Sequence, residues 1–142
     1  MADFKFFDHT ADIAVEVSAE SFEDLFSAAA KAWQFAVLEK INVRPSKLRT
    51  VKIEADTIEE LLVNFLSEIN YLLLVKKWIF AEIKNIRILF EEERFLLSAD
   101  IAGENLNFDK HILKEEIKAV TFHQMVVKKT DATYSTKIIF DI

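Results

Sequence analysis

The chain has 142 residues, enough for one domain with a sizeable buried core. Its formal net charge is −6 and it has no stripe of Lys and Arg interleaved with aromatic residues, so direct binding of nucleic acid is not expected and a protein or a cation is the expected partner. The sequence has no Cys, which excludes disulfides, thiol catalysis and Cys-ligated zinc. It shows no signal peptide and no apolar run of the roughly 20 residues that cross a bilayer, so no membrane span and a cytoplasmic location are expected.

The first half of the chain is predicted to contain short strands and two amphipathic helices. Alternation of apolar and polar residues predicts three strands, at residues 4–8, 13–17 and 51–55. Ser21, followed by Asp24, has the spacing of a helix cap, and Thr57 with Glu60 forms a second one. Apolar residues at helical spacing follow each cap: Phe22, Leu25, Phe26, Ala29, Ala30 and Trp33 in one helix, and Ile58, Leu61, Leu62, Phe65, Leu66, Ile69, Leu72 and Leu73 in the other.

The second half of the chain is predicted to consist mostly of strands, at residues 79–90, 95–102, 119–127 and 134–140. The segment 91–94, with three Glu and one Arg, is the expected tip of a hairpin, and a change of phase between Ile83 and Ile86 indicates a bulge near Asn85. No linker-like run of Gly, Ser or Pro occurs, so residues 1–142 are expected to form a single domain. The pattern predicts an α+β fold, with the two helices packed on one face of a mostly antiparallel sheet.

Oxygen-rich chemistry is concentrated at both ends of the chain. Residues 8–12 offer two carboxylates, an imidazole and a hydroxyl between two predicted strands, and Asp141 lies beside the α-carboxylate of Ile142. Hard cations such as calcium prefer oxygen ligands of this kind. The two ends can form one acidic site only if the first and last strands lie side by side. An ordinary β-turn is the alternative for residues 8–12.

A second polar group comes from the predicted strand at residues 119–127. Strand alternation places Ala119, Thr121 and His123 on one face, with Lys118 immediately before them. A cation, a hydroxyl and an imidazole could act there on a phosphate or a carboxylate, whereas a half-buried His and a solvated sheet edge are the structural alternatives. Glu68 lies at the border of the apolar face of the second helix, where it could simply face solvent.

Other kinds of site have less support. The polar stretch with Glu104, Asp109 and His111 contains metal donors but matches no common zinc spacing. The sequence has no Gly-rich phosphate loop, which excludes nucleotide binding of the P-loop or Rossmann type. A metal-dependent hydrolase that uses the acidic cluster, with His9 or His123 as base, remains an alternative function, as does a general chaperone or adaptor.

Several short motifs, taken in order along the chain, resemble the archease family. They are His9-Thr10-Ala11-Asp12, Glu23-Asp24-Leu25-Phe26-Ser27-Ala28-Ala29, Leu61-Leu62, Phe65-Leu66-Ser67-Glu68, Gly103-Glu104, Asp109 with His111, Glu116-Ile117-Lys118-Ala119-Val120-Thr121-Phe122-His123 and Phe140-Asp141-Ile142. Each motif is short, but together they extend over essentially the whole chain. Phe122, where many relatives have Tyr, and Ala19-Glu20, where they often have Gly, are conservative departures.

The resemblance implies a non-enzymatic activator of an RtcB-type RNA ligase, which joins RNA ends in tRNA splicing and RNA repair with GTP and a divalent metal. The family helps the ligase become guanylylated and turn over repeatedly. The resemblance also implies a calcium-compatible metal site formed by Asp12, Asp141 and the terminal carboxylate of Ile142. The polar surface that acts on the ligase is implied to consist of four residues: His9, Glu68, Lys118 and His123. Neither the residues nor the resemblance indicates an oligomeric state.

Overall fold

The computed structural model describes residues 2–7, 12–122 and 125–142. In chain order, the elements of this part of the chain are β1 Asp3–Phe7, β2 Asp12–Ala19, α1 Phe22–Val37, β3 Lys47–Ala55, α2 Ile58–Leu74, β4 Trp78–Glu91, β5 Arg94–Asn105, β6 Ala119–Thr121, β7 Lys128–Thr130 and β8 Thr133–Asp141. Neither helix is long and apolar enough to cross a bilayer. The predicted α+β class is confirmed.

The strands form two antiparallel sheets. The first sheet has the order β1-β2-β8-β6, with β7 also paired to β8, and the second has the order β3-β5-β4. β8 follows every other element in the chain, yet it occupies the centre of the first sheet. It pairs with β2 over the full length of β2, from Asp12 opposite Asp141 to Ala19 opposite Tyr134.

Both helices bury one face in a core that the two sheets share. α1 contacts β1, β2 and β8 of the first sheet and β4 of the second, while α2 contacts β3, β4 and β5 of the second sheet and β6 of the first. The largest buried side chains include Trp33 and Phe26 of α1, Phe65 of α2 and Phe140 of β8. The apolar helical faces predicted from the sequence are therefore the faces that build the core.

Local signals in the sequence are confirmed by the backbone. The hydroxyls of Ser21 and Thr57 each accept a hydrogen bond from the backbone N–H three residues further along, which caps the two helices. The ladder between β4 and β5 shifts register between Ile83 and Asn85, so the predicted bulge is present. The two residues between β4 and β5 have φ angles of 52° and 63°, the left-handed conformation of a tight hairpin turn.

One predicted strand is wrong over most of its length. The prediction covered residues 119–127, whereas β6 ends at Thr121 and Phe122 is exposed outside any strand. The residues that were expected to connect this strand to the last one, 128–132, instead contain β7, which forms a tight hairpin with β8. The other predicted strands are present and most of them are longer than predicted, although residue 8 lies outside the described part of the chain.

Side chains from other elements hold the segment that follows β6. The backbone N–H of Val127 donates to the carboxylate of Glu59 on α2 at 2.9 Å, and the carbonyl of Val126 accepts from the hydroxyl of Thr136 on β8 at the same distance. These contacts give the carbonyl of Val126 and the N–H of Val127 hydrogen-bond partners where strand pairing is absent.

Candidate functional site

Two carboxylates face each other at one end of the first sheet. Asp12 is the first residue of β2 and pairs with Asp141 of β8, which pairs on its other side with Ala119 of β6. Directly opposite residues project on the same face, with Cβ atoms roughly 4.5–5.5 Å apart, and like charges in these positions repel. The first and last parts of the chain thus meet as the acidic-site hypothesis requires. A cation between the carboxylates would offset their repulsion.

The surroundings of this pair fit a hard cation in the type of donor that they offer. Asp141 is exposed and Asp12 is half-buried, with its Oδ1 atom buried. Ile142 packs against the core, which holds the last residue next to Asp141. These groups are all oxygen donors, the kind that calcium takes. Within residues 2–7, 12–122 and 125–142, no three His, Asp or Glu side chains are grouped to hold a metal, so further ligands would have to be the α-carboxylate, water or other groups.

Lys118 lies directly beside the carboxylate pair. Its backbone N–H donates to the carbonyl of Asp141 at an N···O distance of 2.7 Å, which extends the pairing of β6 with β8 by one residue. Its side chain is exposed and lines a hollow of about 300 Å³ together with Tyr71 and Val75 at the C-terminal end of α2. An exposed cation is therefore carried by the residue whose backbone pairs with Asp141.

The other predicted surface residues are located only in part. Glu68 is half-buried on α2, next in sequence to Ser67, which lines the hollow beside Lys118, but Glu68 does not itself line that hollow. His9 and His123 lie outside the described residues. The grouping of these three residues with Lys118 into one surface stays a prediction.

A buried amide positions the segment that carries Lys118, and the sequence analysis did not identify it. Asn70 of α2 accepts a hydrogen bond from the indole N–H of Trp33 at 3.0 Å and donates one to the carbonyl of Ile117 at 2.7 Å. This residue therefore ties both helices to the chain just before β6. The available signal was an Asn within an otherwise apolar helical face, because a buried polar group requires partners.

The polar stretch after β5 forms a network that connects two loops. The Oε2 atom of Glu104 accepts from the ammonium of Lys110 at 2.6 Å and from the backbone N–H of Arg44 at 2.8 Å. It also lies 2.9 Å from Nε2 of His111, whose Nδ1 accepts from the backbone N–H of Asn107 at 3.0 Å. We therefore assign a neutral imidazole with its proton on Nε2. Both ring nitrogens are engaged, so His111 is a structural residue rather than a metal ligand.

The ionisation of Glu104 follows from the same contacts. Burial raises the pKa of this carboxyl group, but hydrogen bonds from Lys110, from the backbone of Arg44 and from His111 outweigh burial and lower the pKa from 4.5 to about 2. Glu104 is thus charged at neutral pH and fastens the loop after β5 to the segment before β3.

Comparison with known proteins identifies the family of the chain. A sequence profile described as the Archease protein family matches residues 4–142. The chain is 33% identical over 143 residues to protein archease of Thermococcus kodakarensis and 33% identical over 144 residues to that of Pyrococcus abyssi, and each alignment covers 100% of both chains.

Solved structures agree with this match. The solution structure of Methanobacterium thermoautotrophicum protein 1598 superposes with a TM-score of 0.82 at 26% identity, over 98% of each chain. The crystal structure of an archease, described as a possible chaperone, from Thermotoga maritima shares the fold, with a TM-score of 0.63 at 22% identity over 97% of this chain and 96% of that one. From the match over nearly its whole length, we conclude that this chain belongs to the archease family.

Proposed function

We propose that this chain is a non-enzymatic activator of an RtcB-type RNA ligase, and that it promotes guanylylation and repeated turnover of the ligase in tRNA splicing and RNA repair. Membership of the archease family supports this proposal, since the family motifs extend from end to end of the chain. The observation that carries it is the pairing of Asp12 with Asp141 in the first sheet, where the resemblance implies the metal site. A chaperone-like action on another protein is the broader form of the same proposal.

The proposed site binds one divalent cation, and its donors favour calcium. Asp12, Asp141 and the α-carboxylate of Ile142 would hold the ion through oxygen atoms at roughly 2.3–2.6 Å. When bound, the ion would neutralise the clustered negative charges and order them for contact with the partner. The protein holds the two carboxylates at the ends of β2 and β8, the two inner strands of the first sheet. Little rearrangement of the backbone is therefore needed when the ion binds.

Lys118 is proposed to offer its positive charge to a phosphate or carboxylate of the ligase complex. His9, Glu68 and His123 would complete the polar surface. Opposite charges placed side by side give a docking surface a preferred orientation, and the net charge of −6 favours approach to a basic RNA- and GTP-binding cleft.

The decisive experiment measures guanylylation of a purified RtcB-type ligase with GTP, a divalent metal and substoichiometric amounts of this chain. We expect more guanylylated ligase than molecules of activator and several rounds of RNA joining per ligase. The Asp12→Asn/Asp141→Asn double variant is the matched control. Guanylylation and turnover that stay the same when the wild-type chain is added to the ligase would contradict the proposal. Hydrolysis of a phosphate ester by the chain without ligase would instead favour the metal-dependent hydrolase.

A further inference from the structure

An apolar groove runs along the C-terminal end of α2, next to the carboxylate pair. It consists of two adjoining hollows that share Leu74. One hollow, of about 300 Å³, is lined by Tyr71, Val75 and Lys118 among others, and the other, of about 360 Å³, is lined on its outer side by Phe108. This surface is named the α2 groove.

The apolar side chains of the α2 groove are unusually exposed. Phe108 is 72% exposed, Val75 57% and Tyr71 44%. Single exposed apolar residues are ordinary on protein surfaces, but these three border one concave surface, an arrangement typical of a protein interface. No strand pairing or helix packing within the described residues covers them. Over residues 2–7, 12–122 and 125–142, the α2 groove therefore leaves apolar area open to a partner.

The charge around the α2 groove indicates what kind of partner fits. Lys77, Lys114 and Lys118 border the two hollows, against Glu115 and Glu116, whereas the whole chain carries a net charge of −6. The groove is thus locally positive on an acidic protein. A segment with apolar side chains and a neighbouring acidic side chain would complement it in both respects.

The α2 groove reaches β6, the strand that pairs with the end of β8 that carries Asp141. Ala119 lines the groove and is the register partner of Asp141, which pairs in turn with Asp12. Neighbouring strands lie about 5 Å apart, so one macromolecule is large enough to contact both the groove and the carboxylates. Nucleic acid is disfavoured as the occupant, because three lysines opposed by two glutamates on a chain of net charge −6 do not form the extended basic surface that repeated phosphates require.

We propose that the α2 groove is the docking surface for the ligase, which inserts a segment that carries apolar side chains next to an acidic one. The identity of the partner rests on the proposed function. In this arrangement the groove supplies most of the affinity by burying apolar surface, and the carboxylate pair with Lys118 acts on the chemistry of the ligase. Affinity and activation therefore depend on different residues of one surface.

The test compares the affinity of the purified ligase for Val75→Asp, Tyr71→Ala and Leu48→Asp variants by isothermal titration calorimetry. Leu48 is a matched control, since it is 66% exposed and lies on β3, outside the α2 groove. Val75→Asp should weaken binding by about tenfold or more, and Tyr71→Ala by roughly threefold or more. Leu48→Asp should bind as the wild type does. Tyr71→Ala decides the question if Val75→Asp fails to fold.

The outcomes of this test distinguish a failure of the groove proposal from a failure of the proposed function. Variants at Val75 and Tyr71 that melt like the wild type and bind the ligase equally well overturn the groove, even if the chain activates the ligase. Binding that depends on the groove without any stimulation of guanylylation contradicts the proposed function and supports the groove. A wild-type chain that does not bind the ligase overturns both. A dimer of the free chain that Val75→Asp dissociates would identify a second copy as the occupant and overturn the proposal.

Discussion

Trp33 of α1 and Asn70 of α2 are joined by a buried hydrogen bond of 3.0 Å between the indole Nε1 and the amide Oδ1. The same amide donates to the carbonyl of Ile117, which precedes Lys118. Because the next backbone N–H along the chain pairs with Asp141, the contact between the two helices also sets the position of the candidate site.

The first prediction concerns Asn70. Asn70→Ala should lower the free energy of unfolding by about 2–3 kcal/mol, because it leaves the indole N–H of Trp33 and the carbonyl of Ile117 buried without partners. Asn70→Asp tests one of the two hydrogen bonds by itself, since it keeps the acceptor for the indole of Trp33 and loses the donor for the carbonyl of Ile117. Denaturation in urea measures both, and a loss below about 0.5 kcal/mol for Asn70→Ala would show that this contact is not structurally important.

The second prediction separates function from stability at the carboxylate pair. Asp12→Asn and Asp141→Asn should each abolish calcium binding in calorimetry and activation of the ligase. Without metal their melting temperatures should stay close to that of the wild type, because relief of the repulsion between two like charges offsets the contacts that each carboxylate loses. Asp131→Asn, in the exposed turn between β7 and β8, is the control. Wild-type calcium affinity in a folded Asp12→Asn variant would remove Asp12 from the site.

A third prediction follows from the exposed ammonium of Lys118. Lys118→Ala should reduce activation and leave melting almost unchanged, since exposed lysines contribute about 0–1 kcal/mol to stability. Lys118→Arg should keep most of the activity because it keeps the charge, and Lys52→Ala, an exposed lysine on β3, serves as the control. If guanylylation with Lys118→Ala matches the wild type over a range of activator concentrations, Lys118 is only a solvated residue at the sheet edge.

The fourth prediction tests the α-carboxylate of Ile142 without changing any residue. A peptide tail appended after Ile142 should weaken metal binding, because it replaces a charged carboxylate with a neutral amide carbonyl and crowds the site. The same tail placed before Met1 should have a milder effect. Calorimetry on the two tagged proteins makes the comparison, and equal metal affinity would exclude Ile142 as a ligand.

The fifth prediction is a dependence of stability on pH. Folding lowers the pKa of Glu104 from its ordinary value of 4.5 to about 2, so ionised Glu104 stabilises the folded state. This contribution is fully present at pH values above about 4.5 and disappears as the pH falls towards about 2. Glu104→Gln should therefore cost roughly 2–3 kcal/mol at pH 7. The difference from the wild type should shrink steadily between about pH 4.5 and pH 2. Urea denaturation at several pH values checks this, and a constant difference would contradict the assignment.

Features that depend on neighbouring residues could be predicted from the sequence. The spacing of Ser21 and Asp24 predicted the cap of α1, and the change of phase before Ile86 predicted the bulge in β4. Residue chemistry also marked Asp12 and Asp141 as candidate oxygen donors. Each of these signals lies within a few residues of the feature that it predicts.

Features that depend on distant residues could not be predicted. Residues 119–127 are rich in strand-forming residues, yet β6 ends at Thr121, and Glu59 and Thr136 bond to the backbone of Val127 and Val126 from other elements. The division of the strands into two sheets, and the register that places Asp12 opposite Asp141, likewise depend on pairing between residues far apart in the chain. For the candidate site, the sequence could therefore indicate which residues supply oxygen donors, but not that Asp12 and Asp141 lie opposite each other.

The central position of β8 in the first sheet affects the order in which the protein folds during its synthesis. During synthesis the hairpin of β1 and β2 leaves the ribosome early, with one edge of β2 unpaired until β8 has been translated. Because contacts between distant parts of a chain form slowly, closure of the first sheet should be the late step of folding. The carboxylate pair is assembled only at that step. A chain that stops before β8 lacks Asp141 and cannot present the site, so a partner that recognises the carboxylate pair would select chains in which β8 has been synthesised and paired.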